Sequence, residues 1–156
     1  MNVEKLMTQG VVACRADDML NDAARIMWEH DCGFVPIVES DARPRVVGVV
    51  TDRDLCMAAY TRGRALWEIR IGDVMSTAVR SCRPTESLAA AEETMRESQV
   101  HRLPVLDEGD RLLGVISLAD IAREAARGAR SRRHGVTATE VGETLAAIRR
   151  PRAIAA

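Results

Sequence analysis

Two short segments of this chain set a hydroxyl and a carboxylate at the same spacing, Thr51-Asp52-Arg53-Asp54 and Ser117-Leu118-Ala119-Asp120. Each follows an apolar run that opens on glycine, Gly48-Val49-Val50 and Gly114-Val115-Ile116. A strand ending in Thr or Ser, with Asp three positions on, puts both groups at the positive end of a helix, beside free backbone N–H groups. A carboxylate can accept both vicinal hydroxyls of a ribose, and a phosphate suits the hydroxyl and the helix start. Each pair therefore has the means to hold the sugar-phosphate part of a nucleotide. The same spacing is also an ordinary helix cap that needs no ligand. Its recurrence at equivalent places, each time after an apolar strand, favours the ligand.

The recurrence is part of a longer duplication. Met7, Cys14, Leu20, Ala23, Met27 and Pro36 return as Met75, Cys82, Leu88, Ala91, Met95 and Pro104, each 68 positions later. From Gly48 and Gly114 onward the offset is 66, so the first copy carries two extra residues, near Asp41 to Pro44. A repeat this regular means two similar lobes. The 156 residues fit one domain with a real core, since 47% are hydrophobic. With only 3% aromatics, that core is built from aliphatic side chains, and a bound base is expected between them.

Each copy shows the same succession of periods. Gly10 to Cys14 reads as a strand, and Asp17 or Asp18 as the cap of a helix with Leu20, Ala23, Ala24 and Met27 on its apolar face. Phe34 to Val38 and Arg45 to Val50 are β-branched runs separated by a polar turn. Thr51 opens a second helix to about Tyr60, which Gly63 ends. The second copy gives strands at Ala78 to Cys82, Arg102 to Leu106 and Arg111 to Ile116. Its helices run from Thr85 or Glu86 to Glu97 and from Ser117 to about Arg127. The expected fold is α+β, two β-α-β-β-α lobes packed sheet to sheet about a pseudo-twofold axis, because neither lobe alone covers both faces of its sheet. The divisions are 1–66, 67–128 and a helical tail at 129–156. In that tail Thr137 and Glu140 fit a capping box, followed by apolar Val141, Leu145 and Ile148, with Pro151 as the stop.

The two copies resemble a tandem pair of CBS domains, a Bateman module. The likeness runs from about Val3 to Ile121. It rests on Met7-Thr8 and Met75-Ser76, on Val35-Pro36-Ile37 and Leu103-Pro104-Val105, and on both Gly-x-x-Thr/Ser-x-x-Asp segments. The stretch His101 to Val105, with Gly114 to Ile121, is similar to a repeat in the γ subunit of AMP-activated protein kinase. The resemblance implies adenosine-containing ligands (AMP, ADP, ATP, NAD or S-adenosylmethionine) bound between the paired repeats. Asp54 and Asp120 would accept from ribose hydroxyls, and Thr51 and Ser117 would contact ribose or phosphate. His101 and Arg102 would contact phosphate, and the lead-in segments Gly10, Val11, Val12 and Ala78, Val79, Arg80 would line the base with main-chain groups. The copies are unequal, since Gly33 and Phe34 stand where the second has His101 and Arg102. The clefts are therefore expected to differ, one holding at most a nucleoside. Arg102 also has a plainer reading, a strand Arg paired with a surface carboxylate.

No nucleophile–base pair, phosphate-binding Gly-rich loop or metal-ligand spacing stands out, so a non-catalytic regulatory module with no required cofactor is expected. Asp54 and Asp120 open helices at exposed positions, which does not suit a general base. Cys14 and Cys82, at equivalent places, are expected in the core. With no leader segment and no apolar run near 18 residues, the chain reads as cytoplasmic, without membrane insertion. From Ile121 onward there are eight Arg and three Glu, a net +5 against −6 for the rest. Arg123, Arg127, Arg130, Arg132 and Arg133 raise a second reading, a nucleic-acid-binding tail. The acidic body and the absence of interleaved aromatics argue against it. A third is a dimerisation scaffold. The CBS resemblance implies a disc-like homodimer formed through the helices, which the tail helix could clasp, with ligand binding shifting lobe or dimer orientation for an unidentified effector protein.

Overall fold

The computed structural model describes residues 1–40, 42, 44–131 and 136–150, apart from the side chains of 128–131. It resolves into two compact units. One comprises residues 10–79 with 107–112; the other comprises 1–9, 80–106 and 113 onward.

In the first-repeat unit the run Phe34–Val38 is buried at every position and forms the central strand β3. It lies parallel to β2 (Cys14–Arg15) and antiparallel to β4 (Val46–Thr51). A strand buried on both faces reads as a continuous apolar run rather than an alternation. Helices α1 (Leu20–Glu29) and α2 (Asp52–Arg62) cover the sheet, and Leu20, Ala23 and Met27 enter a core with Val35, Ile37, Val50, Leu55, Ile69 and Ile71. Gly63 ends α2 with φ +57°, a conformation glycine adopts without steric cost.

The second-repeat unit orders its sheet as β1 (Thr8–Gln9), β6 (Leu112–Ser117) and β5 (Arg102–Leu106). Helices α3 (Leu88–Ser98) and α4 (Leu118–Ser131) join it, and Leu88, Ala91, Met95, Leu103, Val105, Ile116 and Ile121 form its core. The α+β class is as expected, and Cys14 and Cys82 are core residues whose thiols burial pushes up to about 11 and about 12.

The leading strands differ from expectation. Of Gly10 to Cys14 only Cys14 enters a strand, and of Ala78 to Cys82 only Cys82 makes a bridge, to Val105. The reason lies just upstream. Thr8 and Gln9 pair with Val115 and Gly114, and Ser76 bridges Val49, so each copy's lead-in lies along the glycine-containing strand of the other copy. The chain must then leave that strand before joining its own repeat, and Gly10 turns at φ +67°. The glycines that open both motifs serve this approach. A Cβ on Gly114 would lie 2.5 Å from the Thr8 carbonyl oxygen, and one on Gly48 3.1 Å from that of Ser76.

Helix starts also shift. Asp18 accepts the Arg15 N–H (2.7 Å) instead of capping α1, and Asp22 accepts from Met19 (3.2 Å). Ser87, not Thr85 or Glu86, caps α3 through the Ala90 N–H (3.1 Å), while Glu86 accepts from Arg83 (2.8 Å). In each case a side chain nearer the helix holds the cap and the earlier acidic residue closes a turn.

The tail helix α5 (Ala138–Ile148) begins with the expected capping box, Thr137 N–H and Oγ1–H both donating to Glu140 Oε2 (2.7 and 2.8 Å). It ends at Ile148; Pro151 lies outside the described residues. Its apolar face rests in part on α3 and α4 of its own chain, with Ile148 buried in the second-repeat core and Val141 packed against it, while Leu145 stays 45% exposed. A polar contact lies beneath. Arg96 donates to Thr144 Oγ1 (3.1 Å), which in turn donates to Glu92 Oε1 at 3.5 Å. Burial, then the nearby Glu140, raises the Glu92 carboxyl above its ordinary range, against the lowering pull of Arg96 and Thr144. A raised folded-state value means that the folded form holds the proton more tightly. The Glu92 contribution is therefore complete below the ordinary carboxyl range and is lost as pH rises through the raised value. Glu92→Gln should flatten this segment of the stability–pH curve, measured as urea midpoints between pH 4 and 8; an unchanged slope would sink the assignment.

Candidate functional site

Three of the expected residues, His101, Ser117 and Asp120, come together in the second-repeat unit. The Leu118 N–H donates to the His101 carbonyl (2.9 Å), so the residues entering β5 lie against the start of α4. There Ser117 Oγ–H donates to Asp120 Oδ2 (2.5 Å), as does the Ser117 backbone N–H (2.9 Å). The Asp120 N–H returns a bond to Ser117 Oγ (3.2 Å). The cap thus fixes the carboxylate through one oxygen only. The other, Oδ1, meets the Arg123 guanidinium. That arginine side chain is 64% exposed and the aspartate side chain 13%, so Arg123 can swing away from a carboxylate that cannot.

The first-repeat unit repeats the turn without the cations. Thr51 Oγ1–H and N–H donate to Asp54 Oδ2 (2.7 and 2.8 Å), and the Asp54 N–H donates to Thr51 Oγ1 (3.3 Å). The Asp52 N–H reaches the Gly33 carbonyl (3.3 Å), the counterpart of the Leu118–His101 bond. Met57 stands where the second copy has Arg123, and Asp54 Oδ1 has no partner among the described residues. All four hydroxyl and carboxylate residues are half-buried rather than exposed, because the strand ends hold them against the sheet. Capping and ligand acceptance are thus compatible. Each cap occupies one carboxylate oxygen and leaves the second to be shared.

Charge around the two turns is unequal. His101 and Arg102 are half-buried, and the Arg102 guanidinium has no carboxylate partner among the described residues, so the surface-pair reading fails. Burial lowers the His101 imidazole from its ordinary value, and Arg149 and then Arg102 push the same way. Arg149, at the end of α5, is a residue that sequence reasoning missed. Nothing in its spacing ties it to His101. Arg123, three positions after Asp120, was visible as an i,i+3 ion-pair candidate but was read only as part of a basic tail.

Gly10, Val11, Val12, Ala78 and Val79 belong to the first-repeat unit and Arg80 to the second. None of these six residues joins a ladder, so their main-chain groups are uncommitted to sheet. Of the arginine cluster, Arg123 contacts Asp120, the Arg130 side chain is not described, and Arg132 and Arg133 lie outside the described residues. Among the described residues no group of three His, Cys, Asp or Glu could hold a metal ion, and no helix is long and apolar enough to cross a membrane.

The model of the CBS domain matches residues 3–60 and again 71–127. The chain belongs to the CBS-domain family. CBS domain-containing protein YhcV of Bacillus subtilis is 32% identical over 121 residues, 78% of this chain and 83% of that protein. Hypoxic response protein 1 of Mycobacterium tuberculosis is 33% identical over 118 residues, 76% of this chain and 80% of that protein. A crystal structure of Hypoxic Response Protein I with two coordinated zinc ions superposes with TM-score 0.70 at 32% identity, covering 79% of this chain and 98% of that one. The CBS domain pair of protein MJ0100, in complex with 5′-methylthioadenosine and S-adenosyl-L-methionine, gives TM-score 0.72 at 21% identity over 83% of this chain and 98% of that one. A match of a different kind is homoserine O-acetyltransferase of Methanohalobium evestigatum, 29% identical over 78% of this chain but only 23% of the enzyme.

Proposed function

We propose that this CBS-domain chain is a non-catalytic regulatory module that binds an adenosine-containing ligand carrying a phosphate, AMP, ADP, ATP or NAD. The observation behind it is the second-repeat turn, where the Asp120 carboxylate is oriented by its own cap at a helix start bonded to the His101 carbonyl, and the adjoining Arg102 guanidinium has no carboxylate partner among the described residues. An adenosine ligand on the related fold of MJ0100 supports the class. The Arg102 guanidinium favours phosphate over the sulfonium of S-adenosylmethionine. Asp54 and Thr51 serve a second, cation-poor position suited to a nucleoside; Gly10 to Val12 and Ala78 to Arg80 are proposed to offer main-chain groups to a bound base. No cofactor is required, and binding acts by shifting the population of conformations that an effector protein reads. Calorimetric titration of nucleotide-stripped protein with AMP, ADP, ATP, NAD and S-adenosylmethionine tests this. Micromolar binding of a phosphorylated ligand is expected; no heat from folded protein would leave a scaffold.

A homodimer is part of the proposal. In the second repeat α5 covers α3 and α4, whereas the equivalent helices α1 and α2, with the 3-10 turn at Leu66–Glu68, leave Trp28, Met57, Tyr60 and Trp67 exposed. Trp28 corresponds to Arg96, which is bonded beneath α5. Exposed aromatics on an uncovered helical face mark an association surface. Trp28→Arg should convert a dimer to monomer in sedimentation at micromolar concentration; a wild-type monomer there would remove this part of the reading.

A further inference from the structure

Helix α5 does more than cover the second repeat. Gln99 Nε2 donates to the carbonyl oxygens of Ala147 (3.4 Å) and Arg150 (3.3 Å), clamping the end of α5 two residues before His101. The carbonyl end of a helix repels an anion. Here the clamp occupies two of those carbonyls. Arg149 lies between them in sequence and is exposed, and it has no carboxylate partner among the described residues. Burial first, and then Arg149 and Arg102, hold the His101 imidazole below its ordinary value. His101 is itself tied through its carbonyl to the Ser117–Asp120 turn. Two basic residues thus enter β5 at the backbone bond that joins it to the Ser117–Asp120 helix start, and a third, Arg149, comes from outside the duplicated repeats.

We propose that α5 is part of the nucleotide site, with Arg149 supplying a phosphate-binding cation alongside His101 and Arg102, so that the ligand phosphate bridges β5 to the tail helix. This rests on the nucleotide reading above. A phosphorylated ligand would then fasten α5 to the repeat, whereas a nucleoside would not. The tail becomes the element that distinguishes them.

The experiment is calorimetric titration of the full stripped chain with adenosine and with AMP, for wild type, Arg149→Gln and Arg149→Lys. Hydrogen exchange of residues 138–150 is followed in parallel. Arg149→Gln is expected to weaken AMP about tenfold and leave adenosine unchanged, as loss of one charge-assisted contact would. Arg149→Lys should keep most of the affinity, and AMP but not adenosine should slow exchange in α5 of the wild type. AMP bound equally by wild type and Arg149→Gln would overturn the role of the tail while leaving the nucleotide reading intact. So would equal losses for adenosine and AMP, which would mark a structural effect. A wild type that binds neither ligand would remove both proposals together.

Discussion

Asp120→Ala is expected to weaken AMP binding about 100-fold, while Asp54→Ala leaves it within about threefold, because a charged hydrogen-bond acceptor contributes about 1.5–3 kcal/mol only where its ligand is held. The two aspartates are locally alike, each taking a backbone N–H and a hydroxyl on Oδ2. Loss of either cap should cost stability similarly, about 1 kcal/mol. Equal destabilisation with unequal loss of binding is therefore the diagnostic pattern. It arises because His101 and Arg102 adjoin the second turn, whereas Gly33 and Phe34 adjoin the first. Urea midpoints and calorimetry on both variants supply the measurement. Equal losses of AMP affinity, or none from either, would dismiss the asymmetry.

The second large effect concerns the tail. Ile148 is 6% exposed and joins the core with Met95, Leu103 and Ile121. Ile148→Asp would bury an unpaired carboxylate, and the protein avoids that by releasing α5, at a cost of about 3 kcal/mol. Hydrogen exchange should show residues 138–148 losing protection while β5, β6 and α3 retain theirs. Protection that survives in α5 would show that the helix is not held by this residue. Global unfolding would mean that the repeat does not stand without its cover.

The duplication itself was legible because repetition needs no structure to be seen. Leu20, Ala23 and Met27 and their counterparts announced a helix face, and Phe34 to Val38 a buried strand, because the periods of burial are written in residue type. The Thr/Ser-x-x-Asp caps were legible for the same reason, since a cap joins residues three apart. The lead-in strands were misjudged because Thr8 and Ser76 find partners more than a hundred and more than twenty residues away, and an apolar run does not declare which strand it lies beside.

By itself, then, the sequence carried the family resemblance and the two-copy plan through its long repeat, and the core and the hydroxyl–carboxylate pairs through local spacing. Tertiary structure alone decided that α5 lies on α3 and α4 and that Gln99 clamps its end, two residues before His101. An amphipathic helix specifies only that it needs an apolar surface, and several surfaces would satisfy it. Which one it takes depends on contacts such as Arg96 to Thr144, made across 48 residues, that no periodicity records.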